Sequence, residues 1–222
     1  MAQILPYILV AILFISFVYW NKGLVVGDRQ AHQATVHIPQ LFYFFALTTG
    51  FASFHLTHFL KPFIAGCLRK WWLSVAAVVT ITFIVHFNTI VHPYLLADNR
   101  HYTFYVWKRI FEQRPFGRYV LFPLYMFGAY VVYWILQKKQ SFLFVAAFFT
   151  CSLLSLVPQR LLEIRYFFIP FLFTRLHISP QSGPALIFEF LAFISINVIT
   201  IYLFLSKPFY WSDSPLVQRF MW

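Results

Sequence analysis

Seventeen consecutive residues, YLLADNRHYTFYVWKRI (Tyr94–Ile110), gather one acid, three bases, a histidine and five aromatic rings. Two further stretches share this make-up: VVGDRQAH (Val25–His32) and PQRLLEIRY (Pro158–Tyr166). In each, a carboxylate stands one to three residues from an arginine: Asp28 beside Arg29, Asp98 near Arg100, and Glu163 between Arg160 and Arg165. A guanidinium binds oxyanions through parallel N–H donors, and a neighbouring carboxylate fixes its geometry. Phosphate binding is therefore one chemistry open to this pattern. The candidates are Asp98, Asn99, Arg100, His101, Tyr102, Lys108 and Arg109 in the central stretch, Arg160, Glu163, Arg165 and Tyr166 in the third, and Asp28 and Arg29 in the first. Each also has a purely structural reading: a capped interfacial helix, an ion pair holding a buried turn, and the end of a loop.

Local rules suggest how these residues are held. Asp98 or Asn99 suits a helix N-cap, because a short side-chain acceptor satisfies a free N–H. Tyr102, Tyr105, Val106 and Ile110 then share one face of the helix that follows, with Lys108 and Arg109 at its second turn. Such a helix, lying in the headgroup plane, shows its aromatics to lipid and its bases to phosphate. Arg160 and Glu163, three apart, are spaced to pair on a helix, as are Glu163 and Tyr166.

The solvent these elements live in follows from composition. Of 222 residues, 61% are hydrophobic and 10% charged, and the mean hydropathy is +0.72. A soluble domain carries about 25% charged residues. The chain reads as an all-α polytopic membrane protein in one domain, 1–222. Runs such as VLFPLYMFGAYVVYWIL are apolar all round, unlike the alternating strands of a membrane barrel. Six spans are expected near 4–20, 39–60, 71–91, 119–136, 141–157 and 184–205, the first in preference to a removed signal peptide. Arg160–His177 has too short an apolar core and too many charges for a lipid-facing span, so a re-entrant or interfacial segment is expected there.

With six spans the connecting segments alternate sides. Lys61, Arg69, Lys70, Lys138, Lys139, Lys207 and Arg219 fall on one side. Lys22, Arg29, Arg100, Lys108, Arg109, Arg114, Arg118, Arg160, Arg165 and Arg175 fall on the other, with most of the acids. The positive-inside rule would make the second side cytoplasmic, but its mixed charge among aromatics looks more like a site. The net charge of +11 points to phosphate-bearing lipid rather than nucleic acid. His55 and His58 share a helix face without a nearby acidic or cysteine ligand, and Cys67 and Cys151 form no redox or metal motif, so no metal or cofactor is expected. Glu189, inside the last span, should face the bundle, either paired with a base or protonated.

Together, LVVGDRQAH, IPQLFYFF, YLLADNRHYTFYVWKRIF, VPQRLLEIRYFFIPF, RLH and VQRFMW resemble the dolichyl-phosphoglucose-dependent alpha-1,2-glucosyltransferases of the endoplasmic reticulum. These enzymes add the last glucose to the lipid-linked oligosaccharide used in N-glycosylation. The resemblance implies part of a GT-C type helical bundle in the endoplasmic reticulum membrane, with its polar clusters facing the lumen. It implies dolichyl-phosphate glucose as donor, a dolichyl-pyrophosphate oligosaccharide as acceptor and membrane lipid as surroundings. Arg100, Lys108, Arg109, Arg160 and Arg165 would then neutralise lipid phosphates, and their side need not obey the positive-inside rule.

Only the C-terminal half of the family pattern is matched. The family's catalytic acid lies in the first lumenal loop of the complete protein, which corresponds to none of the loops here. The role is therefore not carried onto Asp28, the catalytic residue is left unassigned, and little activity is expected of these 222 residues alone. A non-catalytic membrane or lipid-binding partner, for example a channel modulator, is the alternative. A transporter ranks last, since no inverted repeat is visible.

Overall fold

The computed structural model describes residues 4–24, 26, 33–114, 116–179 and 182–221. The chain forms two compact units, 1–34 and 35–222. In the first, α1 (Leu5–Asn21) opens with a proline in its first turn and buries none of its residues. It ends where Lys22 turns left-handed (φ 54°) and Gly23 N–H reaches the Val18 carbonyl at 3.1 Å, a common helix stop.

The second unit is built from α2 (Pro39–Phe51), α3 (Ser53–Arg69), α4 (Trp71–Asn88), the short α5 (Pro93–Ala97) and α6 (Tyr102–Val106), α7 (Phe122–Lys139), α8 (Phe142–Leu156), α9 (Phe168–His177) and α10 (Gly183–Ser206). Prolines sit in the first turns of α2, α5, α7 and α10, where the missing N–H costs no bond. The Ser141 and Ser182 hydroxyls accept the Phe144 and Ala185 N–H groups, capping α8 and α10.

The core forms where α2 and α7 cross. Gly128 stands against the Phe45 backbone, where an added Cβ would lie 2.8 Å from the carbonyl carbon. Phe44, Tyr125, Val131, Val132 and Leu136 are buried around this crossing. The outside is inverted relative to a soluble domain: Ile187, Phe188, Phe190, Val198 and Tyr202 of α10 are exposed, while Glu189 is buried. Three helical segments are long and apolar enough to cross a membrane, Trp71–Asn88, Gly117–Lys139 and Gly183–Ser206, and Leu5–Asn21 and Phe142–Leu156 are shorter apolar helices. The expected 39–60 span is instead two helices, broken at Ala52.

Contacts at the two ends of the second unit correct the expected sidedness. At one end, Asn88 at the close of α4 bonds the backbones of Val36 and Ile38, and His37 meets Val157 and Gln159 beyond α8. At the other, Gln140 after α7 bonds His177 at the end of α9, and Lys139 bonds Ser179. The stretch from Arg160 to His177 thus runs from one end to the other; it does not return as a re-entrant loop, and Arg175 lies at the far end. α10 then runs back, and the chain after it meets Asn99 and Arg100. Lys207 and Arg219 therefore share an end with the central stretch rather than opposing it.

That last segment is also not helical. β1 (Phe209–Trp211) and β2 (Ser214–Gln218) pair antiparallel, so the fold is mostly helical rather than all-α.

Candidate functional site

At the centre of the polar end, Asp98 and Arg100 form a bidentate pair. The Arg100 Nε donates to Asp98 Oδ1 at 2.8 Å and its Nη2 to Oδ2 at 2.7 Å. The Arg100 backbone N–H also donates to Oδ1, at 3.0 Å, and His101 Nε2 lies 3.1 Å from Oδ2. Burial pushes the Asp98 carboxyl upward, but the Arg100 and His101 contacts outweigh it and hold the group below the usual carboxylate range. The same bonds raise the Arg100 guanidinium. Asp98 is therefore a turn-forming acceptor. It closes α5, and the residue preceding α6 is His101, so neither Asp98 nor Asn99 acts as the expected N-cap. Asp98 is committed first to its arginine.

The hairpin closes over this pair. The remaining Arg100 nitrogen, Nη1, donates to Gln218 Oε1 at 3.2 Å, the guanidinium lies 4.9 Å from the Trp211 ring centre, and Met221 N–H donates to the Arg100 carbonyl at 2.8 Å. Trp211 Nε1 donates to Asn99 Oδ1 at 2.8 Å. Tyr102 packs edge-on against Phe220, and its hydroxyl bonds Thr200 of α10 at 2.8 Å. Asn99, Arg100 and Tyr102 are thus each bonded by α10 or the segment after it. The quoted VQRFMW was the available signal for Gln218 and Phe220; Trp211 gave none.

Beyond α6 the helix widens into a π-helical turn, Trp107–Glu112. Trp107 and Phe111, one turn apart, are buried, while Lys108 and Arg109 are exposed. Their cations lie over the Phe104 and Tyr105 rings, at 5.3 and 5.6 Å, and neither pairs with a carboxylate among the described residues. Gly117 lets the following segment press against the Ile110 carbonyl, bracing this turn. Sequence periodicity marked Tyr102, Tyr105, Val106 and Ile110 as the working face. The structure buries the Trp107 and Phe111 face beside it.

The third stretch is not helical at Arg160–Glu163, so the expected Arg160–Glu163 pair does not form. Glu163 is instead gripped by Arg165 through both carboxylate oxygens, with Nη2 donating to Oε1 at 2.8 Å and Nε to Oε2. Arg165 is raised by this bond. The half-buried Tyr166 hydroxyl is pushed up, first by burial and then by the Glu163 charge. The loop itself is pinned by residues the sequence reading did not single out. Gln40 Nε2 donates to the Gln159 and Leu161 carbonyls at 3.0 and 2.8 Å, and His37 Nδ1 to the Gln159 carbonyl at 3.3 Å. His37 Nε2 accepts the Ile90 N–H. Burial lowers the His37 pKa to about 4, in keeping with a neutral ring donating at one nitrogen and accepting at the other.

Arg160 differs from Arg100 and Arg165. Its Nε is buried with no hydrogen-bond partner, and among the described residues it makes no ion pair. Before and within α2, the Thr35 hydroxyl and Gln40 Oε1 are also buried without partners. An unpaired buried donor costs about 1–3 kcal/mol, so the Arg160 Nε–H is left in want of an acceptor, whereas Gln40 Oε1 lacks a donor. Arg100 and Arg165 are thus neutralised by carboxylates, whereas the candidate cations Lys108, Arg109 and Arg160 make no ion pair among the described residues. Asp28 and Arg29 lie outside the described residues.

Glu189 lies elsewhere and resolves as paired. Its carboxylate accepts from Arg175 Nε at 2.8 Å and Nη2 at 2.6 Å, with the fully buried His55 Nε2 at 3.1 Å.

The DIE2/ALG10 family model matches residues 1–176 of the chain. The chain is 45% identical over 220 residues to the Dol-P-Glc:Glc(2)Man(9)GlcNAc(2)-PP-Dol alpha-1,2-glucosyltransferase of Rattus norvegicus, covering 98% of this chain and 46% of that protein. Proteins of the same description match at 42% identity over 219 residues in Homo sapiens (98% and 46% covered) and at 36% over 225 residues in Arabidopsis thaliana (98% and 44%). The chain spans about half the length of these curated relatives. No solved structure matches it.

Proposed function

Because the chain belongs to the DIE2/ALG10 family, we propose that it supplies the lipid-phosphate-binding part of an alpha-1,2-glucosyltransferase. The reaction moves the terminal glucose from dolichyl-phosphate glucose to the dolichyl-pyrophosphate oligosaccharide. The acceptor hydroxyl attacks the anomeric carbon, the bond to the phosphate oxygen breaks, and negative charge gathers on the departing dolichyl phosphate. Cations placed beforehand at that oxygen stabilise the transition state more than the ground state. Arg160, Lys108 and Arg109 have this role in the proposal. Asp98, Asn99, Arg100, His101 and Tyr102 hold the wall of the site in shape, and Glu163 orients Arg165 beside Tyr166.

The observation that carries the proposal is the buried, partnerless Nε of Arg160 at an end of the protein where Lys108 and Arg109 also make no ion pair among the described residues. The protein is placed in the endoplasmic reticulum membrane as a multi-pass part of a GT-C type bundle, with this end facing the lumen.

The 222 residues alone are proposed to transfer little glucose. A general base must be free to take the acceptor proton and held at the site; Asp98, Glu163 and Glu189 are each clasped by an arginine, and Glu112 and Asp213 stand exposed to solvent. Two measurements test the reading. Arg160→Ala in the complete enzyme should lower kcat/KM for dolichyl-phosphate glucose or the acceptor roughly tenfold to a hundredfold, the loss of one charge-assisted bond. Wild-type kinetics would remove Arg160 from the site. Membranes containing only these 222 residues, from cells lacking the full enzyme, should transfer little glucose; robust turnover would overturn the claim about the base.

A further inference from the structure

A second cationic feature lies at the opposite end of the 35–222 unit, away from 98–109 and 158–166. α3 ends at Arg69 and α4 begins at Trp71, so Arg69 and Lys70 mark the turn between them. Both are exposed, and neither makes a hydrogen bond or ion pair through its side chain among the described residues. A cleft of about 440 Å³ opens here between α3, α4 and α7, lined by both cations. Its narrow wall is Gly66, Ser74 and Ala77, and its broad wall includes Phe63, Tyr130 and Trp134. A Cβ added at Gly66 would meet nothing within 4 Å, so the space reaches down to the α3 backbone.

We propose that this cleft binds an anionic phospholipid, its phosphate held by Arg69 and Lys70 and one acyl chain lying along Phe63, Tyr130 and Trp134. Three observations converge on that occupant. Residues 71–88 are long and apolar enough to span a membrane, which puts the turn at the hydrocarbon boundary. Trp71 and Trp72, 66% and 59% exposed, follow at once, and exposed tryptophans favour the headgroup level. The cations select negative charge, while the ring-lined wall below them has no use for a soluble anion. The site shares no residue with the proposed transferase face and stands or falls separately from it.

The test uses the purified 222-residue protein in dodecyl maltoside micelles, binding a fluorescent phosphatidylglycerol, with unlabelled lipids and inorganic phosphate as competitors. Each basic side chain near an anionic headgroup is worth about fivefold in affinity. Unlabelled phosphatidylglycerol should therefore displace the probe more than about tenfold better than phosphatidylcholine. Inorganic phosphate in large excess should leave it bound. Arg69→Ala and Lys70→Ala should each weaken binding about fivefold, and together about thirtyfold. Gly66→Leu, which fills the cleft but keeps both cations, should weaken it as well, and it supplies an independent reading if the double variant fails to fold. Equal competition by phosphatidylcholine, displacement by phosphate, or unchanged binding in the folded double variant or in Gly66→Leu would each overturn the proposal.

Discussion

Removing Arg100 should release the C-terminal hairpin. Arg100→Ala deletes the bidentate bond to Asp98, the bond to Gln218 Oε1 and the stacking on Trp211. The ion pair joins residues two apart and is made whether or not the hairpin is docked, so its loss does not count toward release. The bond from a charged donor to Gln218 adds about 1 kcal/mol, and the cation–aromatic contact about 0.5–1 kcal/mol. The Met221 N–H bond to the Arg100 carbonyl and the Trp211 bond to Asn99 do not need the Arg100 side chain. The total loss is about 2 kcal/mol, or roughly a thirtyfold rise in the undocked hairpin. Hydrogen exchange followed by mass spectrometry reads this directly. Amides in 209–221 should exchange about thirtyfold faster in Arg100→Ala, and about fivefold faster in Gln218→Ala, while α7 is unchanged. If the hairpin amides in Arg100→Ala exchange at the wild-type rate, Arg100 does not hold this segment down.

Other expectations follow from the same contacts. His37 has a folded pKa depressed to about 4 from 6.5. The unfolded chain therefore binds a proton that the folded chain refuses, and stability falls as pH drops from 6.5 toward 4, by on the order of 3 kcal/mol; thermal midpoints in detergent should fall across that window in the wild type and much less in His37→Gln. Gly128→Ala should lower the midpoint through steric conflict with the Phe45 backbone, by about 1–3 kcal/mol as for overpacked cores; a neutral result would mean that α2 and α7 separate freely. Glu189→Ala leaves Arg175 and His55 without their anion and should cost about 3 kcal/mol. In that case Arg175→Met combined with Glu189→Leu should recover much of the loss in the same melting assay, whereas a double variant worse than either single one would contradict the pairing.

Much of the helical frame is legible locally. Apolar runs long enough for a bilayer, prolines at first turns and the serines before α8 and α10 depend only on neighbours in sequence, so α1, α4, α7, α8 and α10 fall close to where the composition puts them. What failed did so for equally local reasons. The spacing of Arg160 and Glu163 implies a pair only if the backbone is helical between them, and there it is bent around Gln40 and His37. Asp98 has the right side chain for an N-cap, but Arg100 two residues on competes for both of its oxygens.

The sequence by itself determined the solvent, the family and which residues carry charge, since those are properties of composition and of continuous motifs. Tertiary structure alone decided which of those charges are already spent. Arg100 meets Gln218 across 118 positions and Arg175 meets Glu189 from another helix, whereas Arg160 meets no carboxylate among the described residues. Side-chain periodicity reports which way a residue faces but not what the folded chain brings to meet it. The sidedness of the last helix and its hairpin followed the same logic, because it depends on how many segments traverse, and that number changed once Arg160–His177 ran from one end to the other.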